Sequence, residues 1–146
     1  MLAIDIMNRS VVSVSADSRL ADAAQLMIAH GINSLPVVDE LGHLVGMIGI
    51  RDILRAPARS GSDTLLVKWD RLEERAQLLR TMAVHSVMAR RVVTADETST
   101  VTEVAALMAN RGLHPIPIMR GDTLLGVVGR ADVVRALLDL AHNCRS

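Results

Sequence analysis

The chain has 146 residues, half of them hydrophobic and 22% charged, enough for one ordinary domain or two small ones that share a core. Sixteen Lys and Arg balance sixteen Asp and Glu, which removes any general attraction to nucleic acid or to an anionic membrane. Cys144 is the single cysteine, Phe and Tyr are absent and Trp69 stands alone, so an intrachain disulfide framework, a thiolate zinc site and a platform of stacked aromatics are all excluded from expectation.

At the N-terminus Asp5 and Asn8 interrupt any apolar run, so no signal peptide is expected. A first strand is expected at residues 11–14. Helical spacing of Leu20, Ala23, Ala24, Met27 and Ile28 follows, and Gly31 stops that helix as a residue free to turn left-handed. Two apolar strands come next, residues 35–38 and 44–48, around the turn Asp39-Glu40-Leu41-Gly42. A further helix begins near Gly49. The apolar stretch at residues 44–50 has strand length and is far too short to cross a bilayer, so a cytoplasmic protein with no membrane partner is expected.

Residues 59–63, Arg-Ser-Gly-Ser-Asp, read as a turn and helix start. Leu65, Trp69, Leu72, Ala76 and Leu79 then recur at steps of three and four with charges between them, the pattern of an amphipathic helix. Such a helix packs on its own module, lies in a dimer interface or docks another protein, and Trp69 is its natural anchor.

From residue 84 the chain repeats itself. A displacement of 81 carries Met7 onto Met88, Ser18 onto Ser99, Gly31 onto Gly112 and Pro36 onto Pro117. After a turn one residue shorter, a displacement of 80 carries Gly46 onto Gly126, Gly49 onto Gly129 and Asp52 onto Asp132. The second copy therefore reads as the first: a strand at 92–94, a helix opened by the capping pair Thr100 and Glu103, strands at 116–119 and 124–128 through Arg120-Gly121-Asp122, and a last helix from Gly129. A unit of roughly fifty residues buries too little by itself, so the copies are expected to pack together.

The run Leu35-Pro36-Val37-Val38-Asp39, the run Leu44-Val45-Gly46-Met47-Ile48, and their counterparts Ile116-Pro117-Ile118 and Leu125-Gly126-Val127-Val128 resemble a CBS domain. The resemblance implies an α+β fold of two β-α-β-β-α repeats packed as a pseudo-twofold pair, with the extra amphipathic helix inserted between them. Residues 1–56 form the first repeat, 57–83 the insertion and 84–146 the second repeat. It further implies a regulatory or sensory module that binds an adenosine-type ligand, AMP, ATP or a relative, in a cleft between the repeats. No cofactor is required, a homodimer is expected, and a regulated partner protein is implied. The alternative is a dimerisation or interaction module whose ligand site has decayed.

The family's ligand pattern resembles Gly-x-x-Thr/Ser-x-x-Asp, and here it reads Gly46 to Asp52 and Gly126 to Asp132. Both copies keep the aspartate, whose carboxylate suits two ribose hydroxyls. Both replace the hydroxyl residue with glycine, at Gly49 and Gly129. Glycine is a tolerable helix cap, but a hydrogen bond to ligand disappears, worth about 1 kcal/mol. Arg51 and Arg130 lie in the same turns and offer charge to a phosphate. Alignment with the family adds Ala16, Ile32, Asn33 and Ser34 in the first copy, and Leu113, His114 and Pro115 in the second. Glu97, where the first copy has Ala16, repels a phosphate and favours the first copy for an anion. The five histidines have no metal-ligand spacing, and no nucleophile–base constellation or phosphate loop is present, so neither a metal site nor catalysis is expected.

Overall fold

The computed structural model describes residues 1–58 and 71–143. Leu65, Trp69 and Cys144, and with them the turn at 59–63 and the proposed Trp69 anchor, lie outside the described residues. The chain divides into two compact units, Val12–Val92 and Met1–Val11 joined with Val93–Ser146. They are called the first and second unit below, and each is described by itself.

In the first unit a short strand β1 (Val14–Ser15) leads into helix α1 (Leu20–His30), then strands β2 (Ser34–Val38) and β3 (Leu44–Gly49) and the short helix α2 (Ile50–Arg55). β1 runs parallel to β2, as a helical crossover requires, and β2 pairs antiparallel with β3. Helix α1 ends on Gly31 at φ +63°, and the hairpin closes on Gly42 at φ +80° with Asp39 Oδ1 accepting the Leu41 and His43 N–H groups. Leu20, Ala23 and Met27 from α1 meet Leu35, Val37 and Ile48 from the sheet and Ile53 from α2 in one aliphatic core. Full burial of each large side chain there contributes about 1.5–3 kcal/mol.

The insertion supplies helix α3 (Leu72–Thr81). Its buried face is not the stripe expected from the sequence. Leu72 is 70% exposed and Ala76 also faces solvent, whereas Arg75, Leu78, Leu79 and Met82 turn inward, with Leu79 and Met82 against the core. Hydrogen-bond satisfaction overrides apolar spacing here, because the Arg75 guanidinium finds backbone carbonyls to fill.

The second unit repeats the plan with β4 (Ala95–Asp96), α4 (Val101–Arg111), β5 (Ile116–Arg120), β6 (Thr123–Val128) and α5 (Arg130–Asn143). β4 is parallel and β6 antiparallel to β5. Thr100 caps α4 by accepting the Glu103 N–H at 3.1 Å, and Gly112 ends it at φ +65°. The leading strands of both copies sit one to three residues later than the sequence pattern places them. Only the two residues that find ladder partners on β2 or β5 become strand, while Val12, ahead of β1, packs on the core instead.

The segments that open each copy pack with the opposite copy. Residues 84–92 belong to the first unit and residues 1–11 to the second. In the first unit Met47 and Ala89 exchange two backbone hydrogen bonds of 2.9 and 2.8 Å, and the Leu20 N–H donates to Met82 O. In the second, Asn8 and Val127 exchange bonds of 2.8 and 3.0 Å, and the Val101 N–H donates to Met1 O. Each segment thus extends a sheet by one bridge, and Met1 and Met82, the latter just ahead of its segment at the C-cap of α3, each accept a first-turn N–H that has no intrahelical partner.

Candidate functional site

The turn from β3 into α2 is built by a carboxylate closing on the backbone. The Gly49 N–H donates to Asp52 Oδ2 at 2.8 Å, and the Ile50 N–H donates to Asn33 O at 2.9 Å. Ser34 stands opposite Gly49 in the β2–β3 ladder. A Cβ on Gly49 would lie 3.3 Å from Asn33 O and 3.8 Å from both Ser34 Cβ and Asp52 Oδ2. Asn33, Ser34, Gly49 and Asp52 therefore form one cluster. Ile32 packs on the core beside it, and Arg51 points outward, exposed. Ala16, just past β1, gives its N–H to Val38 O and receives the His85 N–H on its carbonyl.

The second unit carries the same turn with different surroundings. The Gly129 N–H donates to Asp132 Oδ2, again at 2.8 Å. A Cβ on Gly129 would meet only Asp132 Oδ2, at 3.5 Å. Leu113, His114 and Pro115 do not close on it. The cause lies at Pro115, which takes the place of Ser34 and has no N–H to give a ladder, so pairing with β6 begins one residue later at Ile116. Leu113 packs on the core, while His114 and Arg130 are exposed. The repeat offset also separates the two arginines, since Arg51 aligns with Ala131 and Arg130 with Ile50.

The two aspartates differ in what remains of them. Asp132 Oδ1 accepts Arg135 Nη1 at 2.8 Å, with the carboxylate 19% exposed, so both its oxygens are engaged. Asp52 has no partner besides the Gly49 N–H among the described residues, which leaves Oδ1 open. Glu97 is held by Arg120, whose Nε and Nη2 both lie 2.9 Å from Oε2; this contact raises the Arg120 pKa and compensates the charge expected to repel a phosphate. Sequence reading passed over Arg135 and Arg120. The first is legible as an i, i+3 pair with Asp132, and the second only from the β4–β5 pairing.

A groove of about 450 Å³ in the first unit is lined by Ser15, Asp22 and Gln25, among others from β1 and α1. It contains none of the site residues expected from the sequence. No group of three metal-ligating side chains occurs among the described residues, and no described helix is long and apolar enough to cross a membrane.

The model of the CBS domain matches residues 3–59 and 84–139. The chain belongs to the CBS-domain family. Two matched segments in one chain make it a tandem pair of CBS repeats, an α+β fold with one three-stranded sheet per repeat. Over 94% of its length it is 31% identical to 92% of a CBS domain-containing protein of Dictyostelium discoideum. It is 29% identical to L-aspartate semialdehyde sulfurtransferase of Methanocaldococcus jannaschii over 90% of this chain, which spans only 22% of that protein. Among solved structures, the CBS domain pair of protein MJ0100, crystallised with 5′-methylthioadenosine and S-adenosyl-L-methionine, superposes with a TM-score of 0.71 at 26% identity, covering 96% of this chain and 98% of that one.

Proposed function

We propose that this CBS pair is a non-catalytic regulatory module that binds an adenosine-type ligand through the residues gathered at the Gly-x-x-Asp turns. Gly49, Asp52, Asn33 and Ser34 serve the first repeat, with Ala16, Ile32 and Arg51 around them. Gly129 and Asp132 serve the second, with Arg130, Leu113, His114 and Pro115 as further candidates that do not close on its turn. The carrying observation is the open Oδ1 of Asp52 in a turn whose other oxygen is fixed by the Gly49 N–H. A carboxylate held in one orientation accepts two hydroxyl donors on its free oxygen without reorganising, which keeps the entropic cost of binding low. A structure 26% identical to this chain, crystallised with two adenosine compounds, supports that ligand class. Titration of the full chain with AMP, ATP, 5′-methylthioadenosine and S-adenosylmethionine by calorimetry tests it. Heat that saturates and disappears in Asp52→Ala supports the reading, and no response to any of the four overturns it.

The second reading, a module for self-association, rests on helix α5. Val134, Leu137 and Leu138 are 54%, 58% and 50% exposed at i, i+3, i+4 spacing, an apolar stripe on one helix face. We propose a second copy as its occupant, in a homodimer of the kind expected from the sequence. Light scattering of wild type and Leu137→Glu measures it, and a wild-type monomer at high micromolar concentration sinks it. Repeat borders at residues 56 and 84 and a cytoplasmic location complete the proposal.

A further inference from the structure

Arg75 is the one buried charged side chain among the described residues, 8% exposed, and it lies outside both segments matched to the CBS domain. Its guanidinium donates to the carbonyls of Ala56, Leu54 (2.8 Å) and Ile53 (3.4 Å). Leu54 O and Ala56 O, in the last turn and at the C-cap of α2, are among the groups that an α-helix leaves unpaired at its C-terminus, while Ile53 O also accepts the Ala56 N–H at 3.3 Å. A cation there also meets the negative end of the helix dipole.

Helix α2 has six residues, too few to be stable by itself, and spans about 9 Å at 1.5 Å per residue. Its first turn carries Gly49 and Asp52, and its last turn is held by Arg75. Its counterpart α5 has fourteen residues and a different set of contacts. Helix α3, which brings Arg75, is itself pinned to α1, with Arg19 Nη1 donating to Thr81 O at 3.0 Å and the Leu20 N–H donating to Met82 O at 3.0 Å. The insertion thus clamps α2 by the Arg75 side chain and α1 through the backbone carbonyls of Thr81 and Met82.

We propose that Arg75 is a positioning residue for the candidate ligand site of the first repeat: it ties the inserted helix to α2 and so sets the geometry of the Gly49–Asp52 turn. Its consequence for binding rests on the function proposed above, but the coupling itself does not. The insertion becomes the element through which an event on α3 reaches that turn.

Amide hydrogen exchange on the full chain tests the coupling without any ligand. In Arg75→Met, exchange at Gly49 and Ile50, at the far end of α2 from the lost contacts, rises by about tenfold or more, while Met47 and Ala89 in the same unit keep their protection. Arg75→Lys falls between, because an ammonium cannot reproduce the planar fork across several carbonyls; it also serves if the methionine variant fails to fold. Unchanged protection at Gly49 and Ile50, or an equal rise at Met47 and Ala89, makes Arg75 a general stabiliser and overturns the inference. The binding arm uses S-adenosylmethionine and Asp132→Ala protein, so that only the first repeat reports. Arg75→Met then weakens binding about tenfold, and an unchanged Kd overturns the coupling to the site. If the wild-type chain binds none of the four adenosine compounds, the proposed function fails and the exchange result alone decides the inference.

Discussion

Gly126 and Gly46 face the segments that lead into the opposite copies, and replacing either by alanine should pry those segments loose. A Cβ on Gly126 would lie 2.7 Å from Asn8 O and 2.8 Å from Met7 Sδ; on Gly46 it would lie 2.7 Å from Ala89 O and 2.6 Å from Met88 Sδ. A methionine end can swing away, but the carbonyl is backbone held by a pair of hydrogen bonds. Relief therefore means breaking two bonds at about 1 kcal/mol each and loosening the methionine packing, for about 3 kcal/mol in all, at the upper end of what overpacking costs. For a chain of this size that is a fall in Tm of about 6–12 °C. Urea unfolding of Gly126→Ala and Gly46→Ala measures the loss, and exchange at Asn8 or Ala89 locates it. Gly129→Ala is the control, because its Cβ enters nearly open space at a helix-capping position. A loss below about 0.5 kcal/mol in the first two variants, or an equal loss in the control, refutes the reasoning.

The two capping glycines should respond differently to a restored hydroxyl. Gly129→Thr has room and should tighten AMP binding in the second repeat about fivefold, the worth of one added hydrogen bond, whereas Gly49→Thr crowds Asn33 O and should not; calorimetry in Asp52→Ala and Asp132→Ala backgrounds separates them, and equal gains contradict the geometry. Arg135→Gln, in the Asp52→Ala background, should improve affinity at the second repeat by up to about fivefold, the ceiling for an exposed ion pair; weaker binding would mean that Arg135 holds ligand instead of competing with it. Thr98 and Ser99 donate to the Asp96 carboxylate and hold its pKa below the usual value. The folded form is thus favoured above the unfolded carboxylate range and loses that contribution as pH falls through the lowered pKa. Acid titration should show this loss in wild type and not in Asp96→Asn, and identical acid midpoints would remove Asp96 from the account.

Much of this was legible before any coordinates. The left-handed stops at Gly31 and Gly112, the two hairpins and the Thr100 cap all follow from local chemistry, because each is settled within four or five residues of chain. Self-similarity marked Met7, Met88, Gly46 and Gly126 as equivalent positions, yet it cannot say which copy a leading segment joins, since either choice satisfies the same pattern. The buried face of α3 escaped for another reason. Periodicity arguments assign apolar residues to the core, and Arg75 enters it to serve carbonyls whose need is set by where α2 ends. The site showed both behaviours. Gly49 and Asp52 were found from spacing, but the unequal commitment of Asp52 and Asp132 depends on one arginine rotamer, and the unequal surroundings of Gly49 and Gly129 on a proline that starts a ladder late.

The traded leading segments bear on how such a chain arises by duplication. A single copy, with its own opening residues, lacks the bridge that its last strand takes from a neighbour. It completes itself only by borrowing from a second molecule, and a tandem gene turns that loan between molecules into one within a chain. Cleavage near residue 92 should accordingly leave two pieces of unequal standing. Residues 12–92 stay continuous within the piece 1–92, while 93–146 is parted from residues 1–11, which remain on the other piece and which it needs to close its sheet.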